Sequence, residues 1–131
     1  MIGKLVFVVD DEADIRALVL ENLRINGYNT KEFSEGRSLL KEVTRTKPDL
    51  IILDIMMPGI DGLEVCKILK NKKETYDIPI ILLTVKGQIN DIETGFKVGA
   101  NAYIVKPFSP SRLIEKVEEI INKFKYQENN N

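Results

Sequence analysis

The chain has 131 residues, 44% of them hydrophobic and 30% charged, with a formal net charge of −1. This size and composition fit one globular domain with a single core, and the balanced charge indicates neither a nucleic-acid-binding nor a membrane-binding surface. The sequence contains no histidine and a single cysteine, Cys66, which excludes histidine-dependent nucleophiles, histidine metal sites, a phosphohistidine carrier and an internal disulfide.

Short strand-like runs alternate with amphipathic segments along the chain. Residues 50–53 are apolar without alternation, as in a parallel strand covered on both faces, whereas residues 28–33 are more polar, as in an edge strand. Apolar residues at helical spacing mark the segments between the strands, and Pro48 stops the second helix. The sequence predicts strands over 5–9, 28–33, 50–53, 79–83 and 103–105, and helices over 13–26, 36–46, 63–71, 88–98 and 110 to about 124.

The end of the last apolar pattern marks a domain boundary. The apolar face of the last helix ends at Phe124, so we predict one domain over residues 1–124 and a disordered polar tail over residues 125–131. Within the domain, Cys66 is expected to be a small core residue of the third helix. Gly95 lies inside the fourth helix and is expected to loosen it.

Five strand–helix repeats predict an α/β protein with a parallel sheet covered by helices on both faces. With five strands, the common solution is the flavodoxin-like, doubly wound (βα)5 fold with strand order 2-1-3-4-5. Ligands of such sheets bind beyond the carboxyl ends of the strands, at the switch point between strands 1 and 3. The residues that follow these strand ends are therefore the candidates for a functional site.

Polar residues follow four of the predicted strands. Asp10 and Asp11 follow strand 1, and Asp54 follows strand 3; Thr84 and Lys106 follow strands 4 and 5. Three carboxylates without histidine or cysteine favour a hard, oxygen-binding cation such as Mg²⁺. A carboxylate beside such a cation is suited to form an acyl phosphate, with Lys106 and the Thr84 hydroxyl contacting the phosphoryl oxygens.

The sequence around these positions resembles the receiver domains of bacterial response regulators in two-component signalling. The resemblance covers about residues 3–124, with the motifs in the right order and at the right spacing. The matching stretches are Val8–Glu12, Leu53–Gly62, Leu82–Thr84, Gly99–Ala100, Tyr103 and Lys106–Phe108.

The resemblance implies a role for each matching position. It makes Asp54 the phosphoacceptor and Lys106 the phosphoryl-binding lysine, with a cis Lys106–Pro107 bond. It makes Thr84 and Tyr103 the switch pair. It also implies a Mg²⁺ cofactor, for which Mn²⁺ substitutes, held by the side chains of Asp10, Asp11 and Asp54 and by the Met56 carbonyl.

Three further positions implied by the resemblance control access to the phosphoryl group, namely Met56, Val85 and Lys86. Met56 cannot orient a water molecule, and its thioether is flexible. Val85 is stiff and β-branched where the family prefers a small residue. We therefore expect a long-lived phosphorylated form.

The resemblance implies a cytoplasmic phosphorylation-dependent switch that catalyses only its own phosphorylation and dephosphorylation. Its expected donor is a histidine kinase or a phosphotransfer protein, and its output partner, unknown from sequence, would bind the helix 4/strand 5/helix 5 face. No direct nucleic-acid or membrane contact is expected. Ala102 and Arg112 stand where members that dimerise through this face carry acids, so we expect a monomer or a weak phosphorylation-dependent dimer. We expect the chain to be either a single-domain regulator or a fragment of a larger one.

Other interpretations exist for the same residues. A Mg²⁺-dependent phosphatase of the haloacid-dehalogenase type would also use an aspartyl phosphate, but residues 10–13 depart from its first-strand motif. A receiver-like module that only binds proteins would not need all five site residues. Asp10 and Asp11 could cap the first helix, and Tyr103 could be an ordinary strand aromatic. No Gly-x-x-x-x-Gly-Lys phosphate loop is present, so nucleotide hydrolysis is not expected.

Overall fold

A computed structural model describes residues 3–85 and 89–129 of the chain, and Lys86 lies outside the described residues. Strands and helices alternate strictly from the first element to the last. The elements are β1 (Leu5–Val9), α1 (Ala13–Ile25), β2 (Asn29–Phe33), α2 (Gly36–Glu42), β3 (Leu50–Asp54), α3 (Gly62–Lys70), β4 (Ile80–Val85), α4 (Ile89–Lys97), β5 (Ala102–Lys106) and α5 (Pro110–Asn129).

The five strands form one parallel sheet in the order β2-β1-β3-β4-β5, which confirms the predicted flavodoxin-like topology. Strand β3 lies at the centre, and all five of its residues are buried. Leu50 and Ile52 face a core shared with α1 and α5, while Ile51 and Leu53 face a second core shared with α2 and α3. This arrangement explains why β3 is apolar without alternation.

Three element ends differ from the sequence predictions by two residues or more. Helix α2 ends at Glu42, not near residue 46, and in the turn that follows the Glu42 carbonyl accepts hydrogen bonds from the N–H groups of both Arg45 and Thr46. Strand β4 extends to Val85, because Thr84 and Val85 are β-branched and pair with β5. Helix α5 continues to Asn129, where a disordered tail was predicted, because no glycine or proline follows Phe124.

Gly95 allows α4 to lie close to the sheet. A Cβ atom added at this position would lie 2.4 Å from Leu82 Cδ1 of β4, a distance that requires a neighbouring group to move. The glycine therefore has a packing role in the structure, whereas the sequence suggested only a loosened helix.

Lys70 at the end of α3 forms hydrogen bonds with the segments that lead into β4 and β5. Its Nζ donates to the carbonyl oxygens of Tyr76 at 3.1 Å and Ile78 at 2.7 Å, and to Asn101 Oδ1 at 3.2 Å. Asn101 Oδ1 also accepts from the Ile80 N–H at 2.8 Å. Burial lowers the pKa of the Lys70 ammonium. On the same helix Cys66 is a free, fully buried thiol, as expected for a core residue, and burial raises its pKa to about 11.

Candidate functional site

The carboxyl ends of four neighbouring strands bring buried polar side chains together. Asp10 lies directly after β1, Asp54 ends β3, Thr84 lies near the end of β4 and Lys106 ends β5. Their exposed fractions are 0%, 2%, 1% and 8%. Buried charges are costly unless they are paired, so the sequence places these groups in the interior at a cost in stability that a functional site explains.

The ammonium of Lys106 lies among three carboxylates. Its Nζ is 3.0 Å from Asp10 Oδ2, 3.3 Å from Glu12 Oε1 and 3.4 Å from Asp54 Oδ2. One carboxylate oxygen from each of these acids lies within 4.8 Å of the others. Three negative charges therefore share one positive charge. We call the three carboxylates of Asp10, Glu12 and Asp54 the acidic cluster.

Two oxygens of the acidic cluster are left without hydrogen bonds. Asp10 Oδ2 and Asp54 Oδ2 are buried, and in the described part of the chain neither has a hydrogen-bond partner. Lys106 is close enough to form ion pairs with both, but these contacts are not aligned as hydrogen bonds. A cluster of unsatisfied carboxylate oxygens without nitrogen or sulfur donors fits Mg²⁺, which prefers one or two carboxylates and completes its shell with water and phosphate.

The pKa values of Asp54 and Lys106 reflect this crowding. Burial raises the pKa of Asp54, the charge of Asp10 raises it further, and Lys106 and the Met56 N–H oppose the rise, leaving it at about 7. For Lys106, burial acts to lower the pKa of the ammonium, but the close contact with Asp10 and the charge of Asp54 outweigh it and raise the pKa. The lysine is therefore held in its charged form.

The loop after β3 fixes the orientation of Asp54. The Met56 N–H donates to Asp54 Oδ1 at 3.2 Å, and the Gly62 N–H donates to the Ile55 carbonyl at 2.9 Å. Asp61 caps α3 through its Oδ1, which accepts from the Glu64 N–H at 2.9 Å. A Cβ atom at Gly62 would lie only 2.2 Å from the Asp54 carbonyl oxygen, so only glycine fits where α3 begins.

Of the two predicted switch residues, Thr84 of β4 lies in the interior and Tyr103 of β5 reaches the surface. Thr84 is buried, and among the described residues its hydroxyl makes one long contact, 3.5 Å from the Val85 carbonyl. Tyr103 is 38% exposed and packs edge to face on Phe96 of α4, with ring centroids 5.9 Å apart. In this structure Tyr103 is therefore in an outward position.

The remaining predicted site residues are Met56, Val85, Lys86 and Asp11. Met56 and Val85 are exposed, with 56% and 40% of their surface accessible, as positions that border an open site would be. Lys86 lies outside the described residues. Asp11 is exposed and is not part of the acidic cluster, in which Glu12 takes the third place.

Sequence reasoning gave Glu12 no role of its own. The available signal was its place in the acidic triplet that follows β1. Which of these acids turns towards Lys106 depends on the turn into α1, where the Glu12 N–H donates to Asp10 Oδ1 at 2.9 Å. The Lys106–Pro107 peptide bond is cis, as the family resemblance implied.

A family model described as the response regulator receiver domain matches residues 6–118. The chain belongs to this family. The matched range contains the whole acidic cluster, Thr84 and Tyr103, so this edge of the sheet is part of the shared domain of two-component response regulators. In the described part of the receiver, no helix is both long enough and apolar enough to cross a membrane.

Curated relatives of the receiver include transcriptional regulators. The phosphate regulon transcriptional regulatory protein PhoB of Pseudomonas aeruginosa is 41% identical over 123 residues, which make up 94% of this chain and 54% of that protein. The alkaline phosphatase synthesis transcriptional regulatory protein PhoP of Bacillus subtilis is 41% identical over 92% of this chain and 50% of its own length. The receiver thus spans about half the length of these relatives.

Solved structures agree with the family assignment. The chemotaxis response regulator CheY4 of Vibrio cholerae has a TM-score of 0.85 and 30% identity, covering 90% of this chain and 98% of that one. The receiver domain of NtrX from Brucella abortus has a TM-score of 0.84 and 33% identity, covering 89% and 98% of the two chains. The receiver is therefore a signalling domain of the response-regulator type in both sequence and fold.

Proposed function

We propose that the receiver accepts a phosphoryl group on Asp54 in a Mg²⁺-dependent transfer from the phosphohistidine of a histidine kinase or phosphotransfer protein. The observation that carries this proposal is Asp54 Oδ2, a buried oxygen without a hydrogen bond that lies 3.4 Å from Lys106 Nζ. The second oxygen of the same carboxylate is held by the Met56 N–H. One oxygen is thus fixed while the other is left to react.

In the transfer, Asp54 Oδ2 attacks the phosphorus atom and forms an O–P bond as the P–N bond to the donor imidazole breaks. The bonding electron pair leaves with the imidazole nitrogen. Lys106 Nζ and the Thr84 hydroxyl would stabilise the phosphoryl oxygens. The long 3.5 Å hydrogen bond of the Thr84 hydroxyl supports this role for Thr84, and the 3.4 Å distance between Lys106 Nζ and Asp54 Oδ2 supports it for Lys106. The receiver acts here on itself, as a switch and not as an enzyme with turnover of a separate substrate.

The cation would be held by Asp10 and Asp54, with Asp11 and the Met56 carbonyl as the further proposed ligands. Bound Mg²⁺, or Mn²⁺ in its place, supplies positive charge that offsets the carboxylates and the incoming phosphoryl oxygens. The unsatisfied oxygens of Asp10 and Asp54 support this assignment. Asp11 is exposed and lies outside the acidic cluster.

The test is labelling of the wild-type receiver with acetyl phosphate. We expect an acyl phosphate to form in Mg²⁺ or Mn²⁺ and not in EDTA, and borohydride reduction followed by peptide mapping should place it at Asp54. Labelling that does not need a divalent cation, or that maps to another residue, would contradict the proposal.

We expect the access positions to set the lifetime of the phosphorylated form. Val85 is stiff at χ1 and Met56 offers no group to orient water, so Val85→Ala should speed both gain and loss of the phosphoryl group, and Met56→Asn should speed its loss. A tenfold change needs only about 1.4 kcal/mol of barrier. The measurement is the decay of the labelled protein after the donor is removed. Val98→Ala, a half-buried valine away from the site, is the control.

If the wild type loses its phosphoryl group as fast as the Val85 and Met56 variants do, these side chains do not restrict access. Lys86 is a third proposed access residue, and its substitution by alanine belongs in the same series.

The proposed output surface is the face formed by α4, β5 and α5. A cavity of about 200 Å³ on this face is lined by Phe96, Tyr103 and Arg112 among others. Phosphorylation would draw Thr84 towards the phosphoryl group and let Tyr103 turn inward from its contact with Phe96. We propose that a protein partner binds this face differently after the change. We also propose that the receiver itself does not contact nucleic acid and that it is a monomer or a weak phosphorylation-dependent dimer.

A further inference from the structure

Arg16 on α1 reaches back to the main chain of Asp10. Its Nη1 donates to the Asp10 carbonyl oxygen at 2.7 Å, and its Nε donates to Glu32 Oε1 at 3.1 Å. The Arg16 side chain is only 17% exposed, and charge-assisted hydrogen bonds are strong where water is partly excluded. Arg16 therefore ties together the end of β1, the start of α1 and the edge strand β2.

The main chain of Asp10 depends on such contacts. Regular pairing between β1 and β3 ends one residue earlier, at Val9. The Asp10 N–H donates to the Phe33 carbonyl of β2 at 3.2 Å, and Arg16 holds the Asp10 carbonyl from the other side. Together the two hydrogen bonds fix the peptide groups on both sides of this residue, and with them the starting point of its carboxylate.

We propose that Arg16 is a positioning residue for the cation site, holding the Asp10 main chain so that Oδ2 stays in the acidic cluster. This inference rests on the proposed Mg²⁺ site. The planar guanidinium carries its donors in a rigid fork, so Arg16 can bind two acceptors at once, here the Asp10 carbonyl and the Glu32 carboxylate.

Charge alone predicts the opposite effect of removing Arg16. A cation site binds Mg²⁺ more tightly when a nearby positive charge is lost, whereas a site that loses its support binds the metal more weakly. Outer contacts of metal ligands typically change affinity by about 10- to 100-fold. The sign of the change in Mg²⁺ affinity therefore separates the two effects.

Arg24 offers a matched control on the same helix. Its Nε donates to Thr30 Oγ1 of β2 at 2.9 Å, so Arg16 and Arg24 both link α1 to β2, but only Arg16 holds Asp10. The experiment compares Arg16→Gln, Arg16→Lys and Arg24→Gln with the wild type. Mg²⁺ dissociation constants are measured by titration of amide chemical shifts without phosphodonor, and urea midpoints are measured in EDTA.

We expect Arg16→Gln to raise the Mg²⁺ dissociation constant about tenfold, Arg16→Lys to restore part of the loss, and Arg24→Gln to leave the constant unchanged while lowering the urea midpoint. If Arg16→Gln does not fold, Arg16→Lys keeps the positive charge, so charge alone predicts no change in the constant, whereas loss of the fixed guanidinium donors should raise it.

An unchanged or lower dissociation constant in Arg16→Gln would overturn the inference, as would an equal increase in Arg24→Gln. These results leave Mg²⁺-dependent labelling of Asp54 in the wild type intact, so they do not bear on the proposed function. A wild type that binds no Mg²⁺ would overturn both proposals together.

Discussion

Replacing Asp54 by asparagine is expected to reduce acetyl phosphate labelling below detection while making the unliganded receiver more stable. An amide is not a nucleophile for phosphorus. Among the described residues, Asp10 is the one other acid with a buried carboxylate oxygen that accepts no hydrogen bond. Asparagine also removes one of three negative charges around Lys106. Because burial and Asp10 raise the pKa of Asp54 to about 7, its ionisation at higher pH opposes folding.

The expected gain in EDTA above pH 7 is up to about 4 kcal/mol, since each pKa unit corresponds to about 1.4 kcal/mol and the pKa of Asp54 rises from 3.8 to about 7. The sign follows from linkage: the raised pKa makes the native state bind more protons, so wild-type stability falls as the pH rises from about 4 towards 7. In Mg²⁺ the wild type should recover, by about 2.7 kcal/mol at 100 times the dissociation constant. Thermal melts with and without the metal check both statements.

Asp77→Asn is the control for this substitution. Asp77 is exposed and pairs with Lys47, away from the acidic cluster, so its variant should label normally and gain no stability. Equal labelling of Asp54→Asn and wild type would show that another residue accepts the phosphoryl group. A melting curve indifferent to both the substitution and Mg²⁺ would show that the carboxylates do not repel each other.

Replacing Gly62 by alanine is expected to cost about 3 kcal/mol or more of folding free energy. The added Cβ would lie 2.2 Å from the Asp54 carbonyl oxygen and 2.8 Å from Ile55 Cα. Both contacts are with main chain, so no side chain can rotate away, and overpacking of this kind costs about 1–3 kcal/mol or more. Because the displaced peptide is that of the phosphoacceptor, labelling should also slow.

Gly59→Ala provides the comparison within the same loop. Gly59 has a φ of +76°, which disfavours other residues, but nothing lies within 4 Å of an added Cβ. Its alanine variant should therefore lose only about 1–2 kcal/mol. Urea unfolding of both variants measures the difference. A Gly62→Ala variant within 1 kcal/mol of wild type would mean that α3 can move away from β3 at little cost.

The topology could be predicted because its signals are local. A strand buried on both faces is apolar throughout, as in residues 50–53, and a helix buried on one face has apolar residues at helical spacing. The strand order then follows from the rules for parallel sheets. The residues at the strand ends were predicted for the same reason. The structure brings Asp10, Asp54, Thr84 and Lys106 to one edge, as expected from the ends of adjacent strands.

What the sequence could not predict depends on distances between distant segments. The sequence places Gly62 just before the predicted third helix and Gly95 inside the fourth, yet each glycine permits a close approach that only the packed structure reveals. The place of Glu12 in the acidic cluster depends on the turn into α1. The role of Arg16 depends on a side chain that reaches across that turn to Asp10.

The half-buried Lys70 and the buried Lys106 give the two ends of the domain different responses to their surroundings. Lys70 donates all three protons to neutral oxygens, so we expect the stability of this end of the sheet to depend little on ionic strength. Lys106 shares one charge among three carboxylates, so its end carries excess negative charge that any added cation or phosphoryl group must rebalance. We therefore expect any rearrangement that follows phosphorylation to begin at the Lys106 end of the sheet.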